Sequence, residues 1–334
     1  MSEINRFGFN LDSRGRTEWF ICPLDIRMDN IRTVARSEDR VEDASILESI
    51  NDNRLWKEYF SKKGRNNLTP QKKKQLRVMM DSKECRQVFR DIAAEKHEFS
   101  VPIKRFVGKG SVRKRAVYTF DEYETMAMRL IAYKLRMYDS LFSDNLYSFR
   151  ARMGIKKAVS DLKEKDITKM YGFKTDIRDY FNSIDPDMML ADLKDSIDDE
   201  PLCRMFERIL KDDRAMLKGR LIRERKGVMA GVPVAPFLSN IYLRDVDAHF
   251  AGEDCIYMRY ADDIIMLADT EDEVKKHYWE LKRMIEDRNL RLSHGKERYY
   301  KPGDTIEFLG HVFTEDPESE NGVSVQRKEA PVTE

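Results

Sequence analysis

The sequence predicts a mixed α+β fold in which helices cover one face of an antiparallel sheet. Residues 171–177 alternate like a strand, and the runs 256–260 and 264–267 form a predicted hairpin around Ala261-Asp262-Asp263. Helical spacing of apolar residues follows at 270–285. Strand, helix, hairpin and helix in this order favour an antiparallel sheet.

The remaining elements are predicted from helix start signals and apolar spacing. The first 100 residues indicate mainly helix. Asp121 with Glu124 starts a helix over about 121–142, and a second helix is expected over 154–163. Asp185-Pro186 marks another helix start, with Asp as the cap and Pro in the first turn. Thr270 and Glu273 form a capping box before the helix that follows the hairpin.

Composition indicates a soluble protein of roughly two domains or subdomains. The 334 residues are 41% hydrophobic and 36% charged. No run approaches the roughly 18 to 20 apolar residues that cross a bilayer, and the start lacks a secretory signal. We therefore expect a cytoplasmic chain with no membrane partner. Four separated cysteines and five scattered histidines show no ligand spacing, so metal chemistry is expected to use oxygen ligands.

The net charge of +1 conceals a segregation of charge along the chain. Basic residues concentrate at 61–74, 104–115 and 214–226, whereas acidic residues concentrate at 176–200 and 253–273. Each run alone could be a solvated face. Their alternation is typical of a cleft that binds a polyanion around a metal site.

Asp262 and Asp263 are the first candidates for that metal site. Asp is common in turns, which is the simple explanation for the pair. Two adjacent carboxylates held rigidly between strands also need compensating cations. If Asp176, at the end of another strand, converges on them, the three carboxylates would suit two Mg²⁺ ions.

Six motifs follow one another along the chain. They are NLYSFR (145–150), TDIRDYF (175–181), GVPVAPFLSNIYL (231–243), YADD (260–263), LSHGK (292–296) and FLGH (308–311). In this order the motifs resemble those of the reverse transcriptases, from about residue 106 to residue 313. The resemblance implies the fingers and palm of a right-hand polymerase.

The resemblance also implies residue roles. Asp176, Asp262 and Asp263, with the carbonyl of Ile177, would hold two Mg²⁺ ions, for which Mn²⁺ could substitute. Lys296 would protonate pyrophosphate. The residues expected at the nucleotide are Lys109, Arg115, Phe181, Val234 and Ala261. The residues expected at the nucleic acid are Arg113, Lys114, Arg150, Gly231 and Pro233.

Some of these roles have an alternative. Arg115 and Lys109 could provide general attraction to the nucleic-acid backbone instead of a clamp on the triphosphate. Phe181 corresponds to the steric gate that excludes a ribose 2′-hydroxyl, but it could be a simple core residue. Arg150 could support the fingers or contact a template phosphate, and the sequence does not choose between them.

The resemblance implies four regions. They are a helical extension at 1–100, fingers at 101–175, a palm at 176–313 with an insertion at about 187–228, and an acidic tail at 314–334. The tail is short and acidic, so the thumb is expected to be reduced or absent. A second departure is Pro233-Val234-Ala235, where most members have Pro-Gln-Gly, and we expect altered fidelity or template range.

The expected activity is RNA-directed addition of dNTPs to a 3′-hydroxyl, in bacterial antiphage defence. Expected partners are an RNA template, which could be a structured non-coding RNA, the DNA product, and a second copy or a second protein subunit. Priming could use a nucleic-acid hydroxyl or a tyrosine. One alternative is a retron enzyme that makes RNA-linked DNA, and another is a non-catalytic scaffold that binds nucleic acid.

Overall fold

A computed structural model describes residues 45–63, 69–108, 114–319 and 321–328. Lys109 and Arg113 lie outside the described residues. The described α-helices are α1 (Ile46–Ser49), α2 (Asn53–Lys63), α3 (Pro70–Asp81), α4 (Lys83–Ala93), α5 (Glu122–Lys134), α6 (Ile155–Lys163), α7 (Tyr180–Ser183), α8 (Pro186–Ser196), α9 (Glu200–Lys211), α10 (Ala235–Tyr242), α11 (Arg244–Ala251) and α12 (Glu271–Asp287). None of them is long and apolar enough to cross a membrane.

The strands form three separate sheets. In chain order the strands are β1 (Ile103–Val107), β2 (Arg115–Thr119), β3 (Tyr171–Asp176), β4 (Arg214–Leu217), β5 (Arg220–Arg223), β6 (Ile256–Tyr260), β7 (Asp263–Ala268), β8 (Arg298–Tyr300), β9 (Ile306–Phe308), β10 (His311–Glu315) and β11 (Val323–Arg327). The sheet orders are β2-β1-β4-β5, β6-β7-β3-β8 and β11-β10-β9.

The predicted helix starts are confirmed by their caps. Asp121 and Glu124 form a reciprocal capping box at the start of α5. Thr270 and Glu273 do the same for α12. Asp185 accepts a hydrogen bond of 3.0 Å from the backbone of Asp187 at the start of α8. Such caps satisfy amide groups that have no partner within the helix.

The central sheet β6-β7-β3-β8 is antiparallel throughout, as the sequence predicted. Alternate side chains of β7 enter opposite cores because strand side chains alternate between faces. Ile264 and Met266 belong to the core that also contains Leu281 of α12. Ile265 and Leu267 belong to a second core, which is covered by α6 and the β11-β10-β9 sheet. Both faces of the central sheet are therefore covered, which makes its strands rigid supports.

The structure differs from the predicted regions in three places. The strand β3, which falls in the predicted fingers region, pairs with β7 in the central sheet. The predicted insertion contributes β4, which pairs in parallel with β1 in the first sheet. The predicted acidic tail contains β11, whose Val323 is fully buried. The acidic composition of the segment concealed the short alternating run that forms this strand.

The α5 helix ends earlier than expected. It stops at Lys134, and a 3₁₀ helix continues from Leu135 to Leu141. Its apolar residues remain in the core, since both helix types present a buried face.

Candidate active site

Strand pairing brings the three predicted carboxylates together. Asp176 ends β3 and lies opposite Asp263, which begins β7. The adjacent Asp262 is tied to β3 because its carbonyl accepts a 3.0 Å hydrogen bond from the amide of Ile177. Antiparallel register thus places all three on one edge of the central sheet.

A buried ion pair supports the turn that carries Asp262. Ala261 has a left-handed backbone with φ of 56°, which is uncommon outside glycine. Its carbonyl accepts a 3.2 Å hydrogen bond from Nη1 of Arg259. The Arg259 side chain is 0% exposed and pairs with Asp247 of α11 at 2.7 and 2.5 Å. The turn is therefore connected to α11 through two buried charges.

Sequence reasoning missed this pair. One member of the pair could have been noticed in the sequence, because Arg259 is the one charged residue in the strand Ile256–Tyr260. Its partner lies on another element twelve residues away, at a spacing that no local pattern marks.

Each site carboxylate has a basic partner. Lys296 contacts Asp176, Arg115 lies 3.5 Å from Asp262, and Lys174 lies 3.5 Å from Asp263. Arg115 begins β2, so this contact joins the first sheet to the turn that carries Asp262. Lys174 was not predicted, although its place two residues before Asp176 on a strand puts both on one face.

The electrostatics show a site crowded with negative charge. Burial raises the pKa of the Asp262 and Asp263 carboxyls, and the neighbouring Asp176 raises both further. Arg115 and Lys174 oppose the shift. A raised pKa means that ionised carboxylates here are costly without added positive charge.

The donor set fits divalent metal ions that prefer oxygen. Oδ1 of Asp176 is buried and has no hydrogen-bond partner among the described residues. Orphaned buried oxygens are rare and need an explanation, such as an ion. Three carboxylates with one free buried oxygen match the ligands that Mg²⁺ takes from proteins. The residues present therefore suit the two Mg²⁺ ions expected from the sequence.

Phe181 lies among aromatic rings beside the site. Its ring is 6.4 Å from Phe149 and 5.6 Å from Tyr180, between centroids. Phe149 is in turn 6.4 Å from Tyr260, which ends the strand before the catalytic turn. Phe181 is half-buried, so part of the residue remains accessible.

A glycine loop fixes the backbone of Phe181. The carbonyl of Phe181 accepts a 2.8 Å hydrogen bond from Val228. Gly227 has φ of 56°, and a Cβ there would lie 2.2 Å from that carbonyl oxygen. The side chain of the adjacent Asn182 donates a hydrogen bond to the Ala116 carbonyl of β2 and accepts one from the Ala230 amide. These bonds connect the backbone around Phe181 to the first sheet.

The other predicted residues lie in different environments. Lys114 and Gly231 are exposed, and Pro233 is half-buried. Arg150 is 7% exposed and donates to the Asp139 carboxylate and to the Ser143 carbonyl, which favours the structural role over a phosphate contact. Val234 is 2% exposed and belongs to the main core, so its side chain does not face the cleft as expected.

The family profile described as "Reverse transcriptase (RNA-dependent DNA polymerase)" matches residues 109–313. This chain belongs to the reverse transcriptase family. The matched residues include all three site carboxylates and cover nearly the same stretch as the six sequence motifs. No curated protein matches this reverse transcriptase significantly in sequence.

Solved telomerase structures share its fold. Apo telomerase from Candida tropicalis, truncated from the C-terminal domain, has 12% identity and a TM-score of 0.52 over 69% of this chain and 55% of that chain. Telomerase from Candida albicans, in complex with a TWJ fragment of telomeric RNA, has 12% identity and a TM-score of 0.52 over 82% of this chain and 50% of that one. This reverse transcriptase spans about half the length of these structures. Such similarity confirms a fingers-and-palm α+β fold.

Proposed function

We propose that this reverse transcriptase is an RNA-directed DNA polymerase that adds dNTPs to a 3′-hydroxyl. The observation that carries the proposal is the convergence of Asp176, Asp262 and Asp263 on one sheet edge, in a chain of this family. The free buried oxygen of Asp176 and the raised pKa of the other two carboxyls support a site that works with bound cations.

The site residues would have separate roles in nucleotidyl transfer. Asp176, Asp262 and Asp263, with the Ile177 carbonyl, would hold the ions. Two Mg²⁺ ions, when bound, favour ionisation of the attacking hydroxyl and neutralise charge on the triphosphate and the leaving pyrophosphate.

The basic residues would act on the triphosphate. Arg115 contacts Asp262 at 3.5 Å and is 44% exposed, so its guanidinium can turn to a triphosphate and bind it in a bidentate manner. Lys296 forms an ion pair with Asp176, and 46% of its side chain is exposed. Its ammonium group can therefore reach the leaving pyrophosphate, to which it would give a proton.

The accessible part of Phe181 would select the sugar. We infer that this aromatic ring, which is held by its neighbours and by the Gly227 loop, would leave no room for a 2′-hydroxyl. The same fixed ring would accept a deoxyribose. The proposed substrates are therefore dNTPs.

The activity test uses the purified chain with an RNA template, a DNA primer, four dNTPs and Mg²⁺. We expect primer extension by the wild type, and a loss of about 100- to 1,000-fold in Asp262→Asn. Asp254→Asn, an exposed carboxylate on the loop before β6, is the matched control and should retain full activity. Equal extension by Asp262→Asn and the wild type would exclude this site. No extension by either protein would support the scaffold alternative.

The biological setting proposed is antiphage defence in the bacterial cytoplasm, with a structured RNA and a second copy or a protein partner. The replacement of Gln-Gly by Val234-Ala235 supports a specialised rather than a general enzyme. Phage plating on cells that carry the wild type or Asp262→Asn tests this role, and equal plating would contradict it. Sequencing of co-purified nucleic acid distinguishes the retron alternative, which requires DNA covalently linked to RNA.

A further inference from the structure

A second cluster of metal-binding side chains lies between α11 and α12. It consists of His249, Glu253, His277 and Glu280. The ligand atoms of Glu253, His277 and Glu280 all lie within 4.8 Å of one another. Glu280 also reaches His249, with 3.1 Å between Oε1 and Nε2, and His277, with 3.8 Å between Oε2 and Nδ1.

Several polar atoms of this cluster are buried without forming a hydrogen bond. Nδ1 of His277, Nε2 of His249 and Oε2 of Glu280 form none among the residues that the structure describes, although Glu280 lies within ion-pair distance of both rings. His277 is 3% exposed, so water cannot freely supply a hydrogen bond to its ring. Buried polar atoms of this kind are costly unless a bound ion or a well-placed partner satisfies them.

We propose that this cluster binds one Zn²⁺ ion through His249, Glu253, His277 and Glu280. Two imidazole nitrogens and two carboxylate oxygens supply the four ligands of a tetrahedral zinc site. Mg²⁺ and Ca²⁺ prefer all-oxygen sites, so the nitrogens select against the ions of the catalytic centre. Two carboxylates also neutralise the charge of the ion.

The spacing of the ligand atoms supports this assignment. Zinc bonds of about 2.0–2.1 Å in tetrahedral geometry place neighbouring ligand atoms about 3.3 Å apart. The distances of 3.1 Å from His249 to one oxygen of Glu280 and of 3.8 Å from His277 to the other oxygen lie close to that value. Glu253 lies within 4.8 Å of His277 and Glu280 and 3.6 Å from Lys276, so its partly exposed carboxylate would turn from that lysine to the ion.

The proposed zinc site differs from the sequence expectation that metals would use oxygen ligands. The ligands come as two short pairs, His249 with Glu253 and His277 with Glu280, which are four and three residues apart. The spacing of His277 and Glu280 places both side chains on one face of α12, whereas Glu253 lies in the loop that follows α11. Only the packing of α11 against α12 brings the two pairs together.

The zinc ion would hold the helix that supports the catalytic turn. The α11 helix also carries Asp247, which binds Arg259 beneath the Ala261 carbonyl. Phe250 lies between the two regions, stacked on Tyr257 at 4.9 Å and edge-on to His277 at 6.1 Å. The ion is thus structural and separate from the catalytic carboxylates.

The test measures zinc on the full-length protein. The chain is stripped with a chelator, and Zn²⁺ is titrated in excess Mg²⁺ with elemental analysis and thermal melting as readouts. We expect one Zn²⁺ per chain and a rise in Tm of about 5 °C at saturation. Replacement by Co²⁺ should produce the visible absorption of a tetrahedral site.

Matched variants locate the ion. Glu253→Gln is partly exposed and should fold, and we expect zinc binding at least about 10-fold weaker. Glu286→Gln, exposed on the same helix α12, should bind like the wild type. Asp262→Asn should also retain one ion, because the catalytic site is separate. No bound zinc in the wild type, unchanged affinity in Glu253→Gln, or loss in Asp262→Asn would overturn the proposal.

Discussion

Replacing Asp247 with Asn should destabilise the protein strongly, because it leaves a buried guanidinium without its counter-charge. The Arg259 and Asp247 side chains are 0% and 1% exposed, so solvent cannot take over the lost interaction. Breaking a buried pair by removing one partner costs about 3–5 kcal/mol. That is a large part of the roughly 5–15 kcal/mol that stabilises a typical domain. Equilibrium unfolding in urea measures the loss.

Two controls isolate the charge effect. Asp254→Asn makes the same chemical change at an exposed position and should alter stability by no more than about 0.5 kcal/mol. The double variant Asp247→Leu with Arg259→Met removes both charges and should recover part of the stability, because the buried Tyr257 hydroxyl still loses its acceptor. It should remain poorly active, since the Ala261 carbonyl loses its donor. A cost below about 1 kcal/mol for Asp247→Asn would refute the argument.

Three further changes test other parts of the site and its support. Phe181→Ala should improve the use of rNTPs relative to dNTPs by about 10- to 100-fold in kcat/KM, and an unchanged ratio would make Phe181 a core residue. Val234→Gln should cost about 1–3 kcal/mol in urea unfolding, because a buried amide gains no partner there; unchanged stability would show that the position is open to solvent. Glu124 is buried, which alone would raise its pKa, but hydrogen bonds from His97 and Ser100 hold the pKa below the ordinary 4.5. Its stabilisation should therefore be complete above about pH 4.5 and be lost as pH falls through the lower folded pKa, and Glu124→Gln should remove this part of the pH dependence. An equal acid slope in Glu124→Gln would contradict that assignment.

The central sheet could be predicted because its information is local. Alternation marked β3, β6 and β7, and the caps at Asp121, Asp185 and Thr270 marked helix starts. The tail strand β11 was missed because acidic residues surround it and its partner β10 lies across a turn. The pairing of β1 with β4 was missed because more than 100 residues separate the strands.

The difference between local sequence patterns and long-range packing also decides how much of the site could be predicted. Asp176, Asp262 and Asp263 could be brought together from the strand pattern and the resemblance. Their basic partners could be predicted only in part, since Arg115 and Lys174 reach them through tertiary packing.

The sequence also did not show which side chains of its motifs are buried. Val234 lies in a motif that suggests nucleotide contact, yet its side chain is in the core. The His249 and His277 rings both lie near Glu280 only because α11 packs against α12.

The most direct test of the metal-dependent site is a ligand exchange at Asp176. Asp176→Cys should lose on the order of 1,000-fold in dNTP incorporation with Mg²⁺, since sulfur is a poor ligand for that ion. Mn²⁺ or Cd²⁺, which accept sulfur more readily, should restore activity in this variant beyond their effect on the wild type and on the exposed control Asp254→Cys. Full activity of Asp176→Cys with Mg²⁺, or no rescue by either ion, would contradict the assignment of Asp176 as a metal ligand.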